Sequence, residues 1–217
     1  MVASVLAREH GLSELDELLR PEPLAFGAAP EQRVVFCGTS WNRYLSFDQK
    51  LGEDRPGPRL FYLEGELEIM TPSNEHERIK KWLGGFLDDY FLNARIEIMP
   101  RGQATMRLAL KEAGAEPDES WCIGQEREFP DLVLEIALTT GGVNKLEIYR
   151  RFNVPEIWFW RGSKLEIFSL SQPGTYEPLR TSRLLPKLDI ALLKRCVVIR
   201  SWQQARQTFR SALIKPR

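Results

Sequence analysis

Between Ser73 and Leu92 the apolar residues Ile79, Trp82, Leu83, Phe86, Leu87 and Tyr90 recur at helical spacing. They predict one amphipathic helix with a wide buried stripe, capped by Ser73. Other segments alternate apolar and polar positions instead. Arg59 to Met70 does so and is interrupted by Gly65, which predicts a hairpin of Arg59–Leu63 and Glu66–Met70. Further strands are predicted at 32–37, 95–99, 103–110, 117–123, 129–137 and 164–170. Glu156 to Trp160 is apolar on both faces. A helix is predicted from Lys145 to Phe152, ended by Asn153 in a left-handed cap and by Pro155. A strand, a helix and a strand with short links make a right-handed crossover between parallel neighbours. Shorter helices are predicted at 13–20 behind Ser13, at 40–51 behind Ser40, and at 188–195 and 200–213. Residues 21–32 read as a Pro-, Gly- and Ala-rich linker.

The pattern predicts an α/β (α+β) chain built on a mixed β-sheet flanked by helices. An N-terminal extension would cover residues 1–39, the core 40–195, and a basic C-terminal helix 196–217. The length of 217 residues, with 43% hydrophobic and 28% charged residues, suits a globular chain of this kind. No apolar run is long enough to span a bilayer, and Arg8, Glu9 and His10 make the start a poor signal peptide. A cytoplasmic location is expected. Cys37, Cys122 and Cys196 are odd in number and far apart, which argues against a disulfide framework. With two histidines and no CxxC pair, a zinc site of the usual kind is not expected. Net charge is zero, but Arg180 to Arg217 carries ten Lys or Arg and one acid, Asp189. Such a tail is either a nucleic-acid arm or a helix docked on an acidic body.

The chemistry concentrates in a few acids and one lysine. Glu135 interrupts the apolar run Leu132-Val133-Leu134-Glu135-Ile136, and a buried carboxylate needs a partner, a hydrogen bond or a metal. Asp131 starts the same strand, roughly 13 Å from Glu135, so one ion cannot bridge both. Glu135 is favoured as a metal ligand, and Asp131 as a structural or supporting acid. Lys145 lies about 40° from Tyr149 on its helix and so faces inward; the alternative is a lysine that snorkels to solvent. Glu75 lies about 20° from Trp82 and Phe86, in line with the buried stripe, whereas Glu77 points away. Equally, Glu75 reads as a first-turn acid favoured by the helix dipole. Asp118, after Pro117, is a site acid or a strand-end acid. His76 lines the same cleft or caps the helix. Trp158 and Trp160 are expected in the core rather than stacked on bases.

The motifs GELEIMTPS at 65–73, His76, EPDES at 116–120, FPDLVLEI at 129–136 and KLEIYRRFNVPEIWFW at 145–160 occur in this order. Together they resemble the "putative restriction endonuclease" family of the PD-(D/E)XK nuclease superfamily, over roughly residues 40–195. The resemblance implies a restriction-endonuclease-like fold. It implies Asp118 and Glu135 as ligands of a divalent ion, Mg²⁺ with Mn²⁺ as a substitute. Glu75 would be the acid of the first core helix and a third ligand. Lys145 would orient or activate the attacking water. In the superfamily pattern the lysine stands two residues after the second acid, where this chain has Ala137; Lys145 would supply the ammonium from the helix instead. Asn153 stands where such sequences often carry Gly.

Two functions follow from these observations. The first is a Mg²⁺-dependent endonuclease cutting DNA as a homodimer. The second is a non-catalytic module of nuclease ancestry that binds nucleic acid or protein. A carboxylate-pair glycosidase is a third idea, but it has no use for an inward Lys145.

Overall fold

The computed structural model describes residues 30–52, 57–172 and 174–214. In chain order the elements are β1 (Gln32–Cys37), α1 (Trp41–Leu51), β2 (Arg59–Leu63), β3 (Glu66–Thr71), α2 (Asn74–Ala94), β4 (Ile98–Pro100), β5 (Met106–Leu108), β6 (Ala113–Ala115), β7 (Glu119–Ile123) and β8 (Leu132–Ile136). They continue with α3 (Lys145–Arg151), β9 (Glu156–Arg161), β10 (Lys164–Ser171), β11 (Thr175–Leu179), α4 (Ile190–Val197) and α5 (Trp202–Ile214). The expected helix at 13–20 and most of the expected linker lie outside the described residues.

The punctuation works as the residues predict. The Ser40 side chain accepts from the Arg43 amide at 3.3 Å, and the Ser73 side chain accepts from the His76 amide at 3.2 Å. Each supplies a partner for an amide that has none inside its own helix. Asn153 takes a left-handed φ of 55° after α3, as the cap pattern requires.

The single expected sheet is two sheets. One has the order β1-β3-β2-β6-β5 and is antiparallel throughout. The other has the order β11-β10-β9-β8-β7-β4, with a parallel pair only at β8 and β9. That pair is the predicted crossover through α3. Strand β6 was not predicted, because Ala113-Gly114-Ala115 lacks the β-branched and aromatic residues that signal strands. Tertiary pairing makes it a strand: β6 is hydrogen-bonded between β2 and β5, and Gly114 leaves room for Tyr44, whose Cζ would lie 2.7 Å from a Cβ there. Strand β11 was also missed, and β4 and β5 are shorter than their predicted segments. The last two helices start two residues later than predicted, because Asp189 and Ser201 cap them.

The larger sheet buries both faces. Leu132, Leu134 and Ile136 point to one side, against Leu83, Phe86 and Leu87 of α2 and the apolar sides of α4 and α5. Val133, Ile157 and Phe159 point to the other, against Ile148 and Tyr149 of α3 and Phe61 and Ala115 of the smaller sheet. Trp158 and Trp160 lie in the first of these cores, as expected. Each fully buried aliphatic side chain contributes about 2 kcal/mol through area removed from water. The basic tail docks on its own chain: Trp202 packs against Trp82 at 5.4 Å, and Arg206 Nε pairs with Asp89 at 2.7 Å. Cys37, Cys122 and Cys196 are all free thiols.

Candidate active site

The register of β7 against β8 pairs Glu119 with Leu134 and Ser120 with Val133. Continued by one residue, it sets Asp118 opposite Glu135, on the face that looks toward α3 and the smaller sheet. The link is tight, since Asp118 Oδ2 accepts from the Ile136 amide at 2.7 Å. Lys145 opens α3 and reaches back along the crossover, with Nζ 2.7 Å from Glu135 Oε2. Its ammonium also sits over the Phe61 ring, 3.4 Å from the centroid. The Tyr149 hydroxyl, one turn further along α3, donates to the other Glu135 oxygen. Asp118, Glu135 and Lys145 are therefore brought together, all buried.

Glu75 is not brought to them. Its side chain is 54% exposed and forms a forked pair with Arg78. Glu75 shares the line of Trp82 along the helix, and that line faces Trp202 of α5, not the sheet. The centre of the buried stripe runs through Leu83 and Leu87, both fully buried. His76 lies about 20° from each of them on the wheel. It is His76, not Glu75, that the first turn delivers to the site. Glu77, expected in solvent, is half-buried and pairs with Arg59 at 3.2 Å and Lys80 at 2.8 Å.

Around Asp118 the chain builds a continuous ionic row. His76 Nε2 is 2.8 Å from Asp118 Oδ1, and His76 Nδ1 is 2.7 Å from Glu31 Oε2. Arg59 Nε lies 3.0 Å from the same Asp118 oxygen. Glu31 also accepts from the Thr139 amide and hydroxyl, at 3.2 and 2.6 Å. These partners were invisible in the sequence, because Glu31 and Arg59 are far from His76 along the chain. Tyr149 carried a usable signal, since it shares a helix face with Lys145. Asp131 stands apart and is structural: it accepts from the Ile123 amide at 2.8 Å and pairs with Arg127 at 2.6 Å.

The electrostatics divide the two central acids. Burial alone would raise the Asp118 carboxyl, but His76, Arg59 and Lys145 hold it down at about 2. Burial raises Glu135, and the Asp118 charge adds to it, against the opposing pull of Lys145 and Tyr149. Burial also works against a charged His76, yet hydrogen bonds to Asp118 and Glu31 raise it to about 9. The site therefore holds an ionised Asp118 between cations and a Glu135 whose charge is under-compensated.

Among the described residues no three His, Cys, Asp or Glu side chains form a ready-made metal cage. The donor set still suits a hard divalent ion. Asp118, one residue before β7, and Glu135 on β8 are neighbouring carboxylates, and Mg²⁺ takes one or two carboxylates and completes its shell with waters and phosphate oxygens.

The mixed α+β architecture, with two sheets, flanking helices and one crossover, is a restriction-endonuclease-like fold. The chain belongs to the Uma2 family, described as "putative restriction endonuclease", whose family model matches residues 41–198. Families of this type generally use divalent metals. No curated protein matches the chain. Among the described residues no helix is long and apolar enough to cross a membrane.

Proposed function

We propose that this chain is a divalent-metal-dependent endonuclease that hydrolyses DNA phosphodiester bonds. The reading rests on one observation: Asp118, one residue before β7, is bonded to the Ile136 amide beside Glu135 of β8, with the Lys145 ammonium 2.7 Å from Glu135. Asp118 and Glu135 would hold the ion, Mg²⁺ or Mn²⁺. When bound, the ion would acidify a coordinated water and neutralise charge on the phosphate.

The chain's own residues do the rest. Lys145 places a positive charge where negative charge develops on the attacked phosphate. Its clamp on Glu135, shared with Tyr149, fixes that carboxylate in one orientation. His76 and Arg59 do the same for Asp118 and keep it ionised. Glu75 has no part in this reading, given its pairing with Arg78 in solvent. A duplex has two strands and each chain offers one cluster, so the reading takes a two-fold homodimer, acting in the cytoplasm.

The test is nicking of supercoiled plasmid by purified protein in Mg²⁺ or Mn²⁺. Nicking is expected, and is lost in Lys145→Ala and Glu135→Ala. A protein that binds no divalent ion by calorimetry sinks the reading. One feature favours the second function, a binding module without catalysis: both central carboxylates already have partners within the chain. Nucleic-acid binding with no cleavage in either ion would select it.

A further inference from the structure

Between Arg180 and Ile214 the chain carries eight Lys or Arg and one acid, Asp189, whose side chain is spent capping α4. Arg183 pairs with Glu177, and Arg206 pairs with Asp89. The other six, Arg180, Lys187, Lys194, Arg195, Arg200 and Arg210, form no ion pair with any of the described residues. All but the half-buried Lys194 are exposed. Concentrated like charge of this kind destabilises the compact state through self-repulsion. The packing of α4 and α5 does not need it, because Leu192, Leu193, Cys196, Val197, Ala205 and Phe209 supply their inward faces.

The position of this charge is set by the helix pair. α5 runs alongside α2 in the same direction: Trp202 meets Trp82, Arg206 meets Asp89, and Asn93 Nδ2 donates to the Leu213 carbonyl. The corner between α4 and α5, with Lys194, Arg195 and Arg200, therefore sits beside the first half of α2. Trp82 is six residues past His76, about 9 Å of helix rise. The basic corner and the Asp118 cluster thus approach the same end of α2. The corner lies on the α2 side of the larger sheet and the cluster on its α3 side, so they are separate surfaces near one end of α2.

We infer that the α4–α5 corner is a phosphate-backbone contact surface that holds nucleic acid outside the catalytic cluster. The inference rests on the reading of this chain as acting on nucleic acid. The chemistry favours a polyanionic backbone over an anionic membrane. A membrane-surface helix would turn large apolar side chains outward, and here those of α4 and α5 mostly face the core.

The test is salt-dependent binding of a labelled 20-base-pair duplex, by fluorescence anisotropy in EDTA so that no hydrolysis occurs. Each phosphate contact contributes about 0.9 to the slope of log affinity against log salt. The triple variant Lys194→Gln, Arg195→Gln, Arg200→Gln should lower that slope by about 2 to 3 at unchanged thermal stability. The variant Arg195→Lys should keep the slope, which separates charge from fold. An unchanged slope in the triple variant overturns the inference. So does a wild-type protein that binds phosphatidylserine vesicles but no duplex. Binding with the expected slope and no cleavage on adding metal leaves this surface standing and removes only the nuclease reading. Cleavage with an unchanged slope does the reverse.

Discussion

His76 Nε2 and Asp118 Oδ1 lie 2.8 Å apart, and both side chains are completely buried. The pair joins the first turn of α2 to the start of β7, and through Asp118 to the backbone of β8. With His76 raised to about 9, it is an ion pair at neutral pH. Its contribution to stability is full below pH 6.5, the ordinary value for histidine, and is lost as pH rises through about 9. The Asp118 side behaves oppositely: its contribution is present above pH 3.8 and lost as pH falls through about 2. The wild-type protein should therefore lose stability between pH 6.5 and 9 in urea melts. His76→Gln should lack that slope and be less stable at neutral pH by about 3 kcal/mol, since two buried carboxylates lose their shared cation. Parallel pH profiles for the two proteins would refute the pairing.

Lys145→Met should remove nicking by at least about 100-fold, the scale of one lost charge-stabilising donor. Lys145→Arg should not restore it. The ammonium fits between Glu135 at 2.7 Å and the Phe61 ring at 3.4 Å, and a guanidinium fork is too broad for that space. Full rescue by arginine, read in the plasmid assay, would show that a precise point charge is not what the site uses.

Glu75→Ala should change little. Its pair with Arg78 is exposed, and such pairs are worth well under 1 kcal/mol. Thermal stability within about 0.5 kcal/mol of wild type and undiminished nicking are expected. A loss of activity matching that of Glu135→Ala would return Glu75 to the site.

Gly142→Ala should destabilise the link between β8 and α3 by more than 1 kcal/mol, about the cost of strain in a disfavoured backbone region. Gly142 has φ of +94°, and a Cβ there would lie 2.0 Å from Glu68 Oε2. That oxygen accepts from the Val143 amide at 2.8 Å, two residues before Lys145. Differential scanning calorimetry checks the stability. Nicking should fall with it, at a KM for DNA that stays near wild type, because Lys145 is displaced and the binding surface is not.

Local signals in the sequence determined most elements. The serine caps of α1 and α2, the Gly65 hairpin, the crossover ended by Asn153, and the stripe of α2 depend on residues within a few positions of one another. The inward lysine and the mid-strand glutamate were legible for the same reason. Tertiary structure decided what local pattern cannot carry. The Ala-Gly-Ala strand β6 forms because it is paired on both sides, with β2 and β5, and the two-sheet division follows from pairings across long stretches of chain. Glu75 and His76 differ by one residue on one helix. Which of them meets Asp118 depends on whether sheet or α5 covers each line of that helix, and helical periodicity holds no information about its neighbours. Glu31 and Arg59 entered the site for the same reason: a buried carboxylate must find a partner, and the fold, not sequence distance, supplies it.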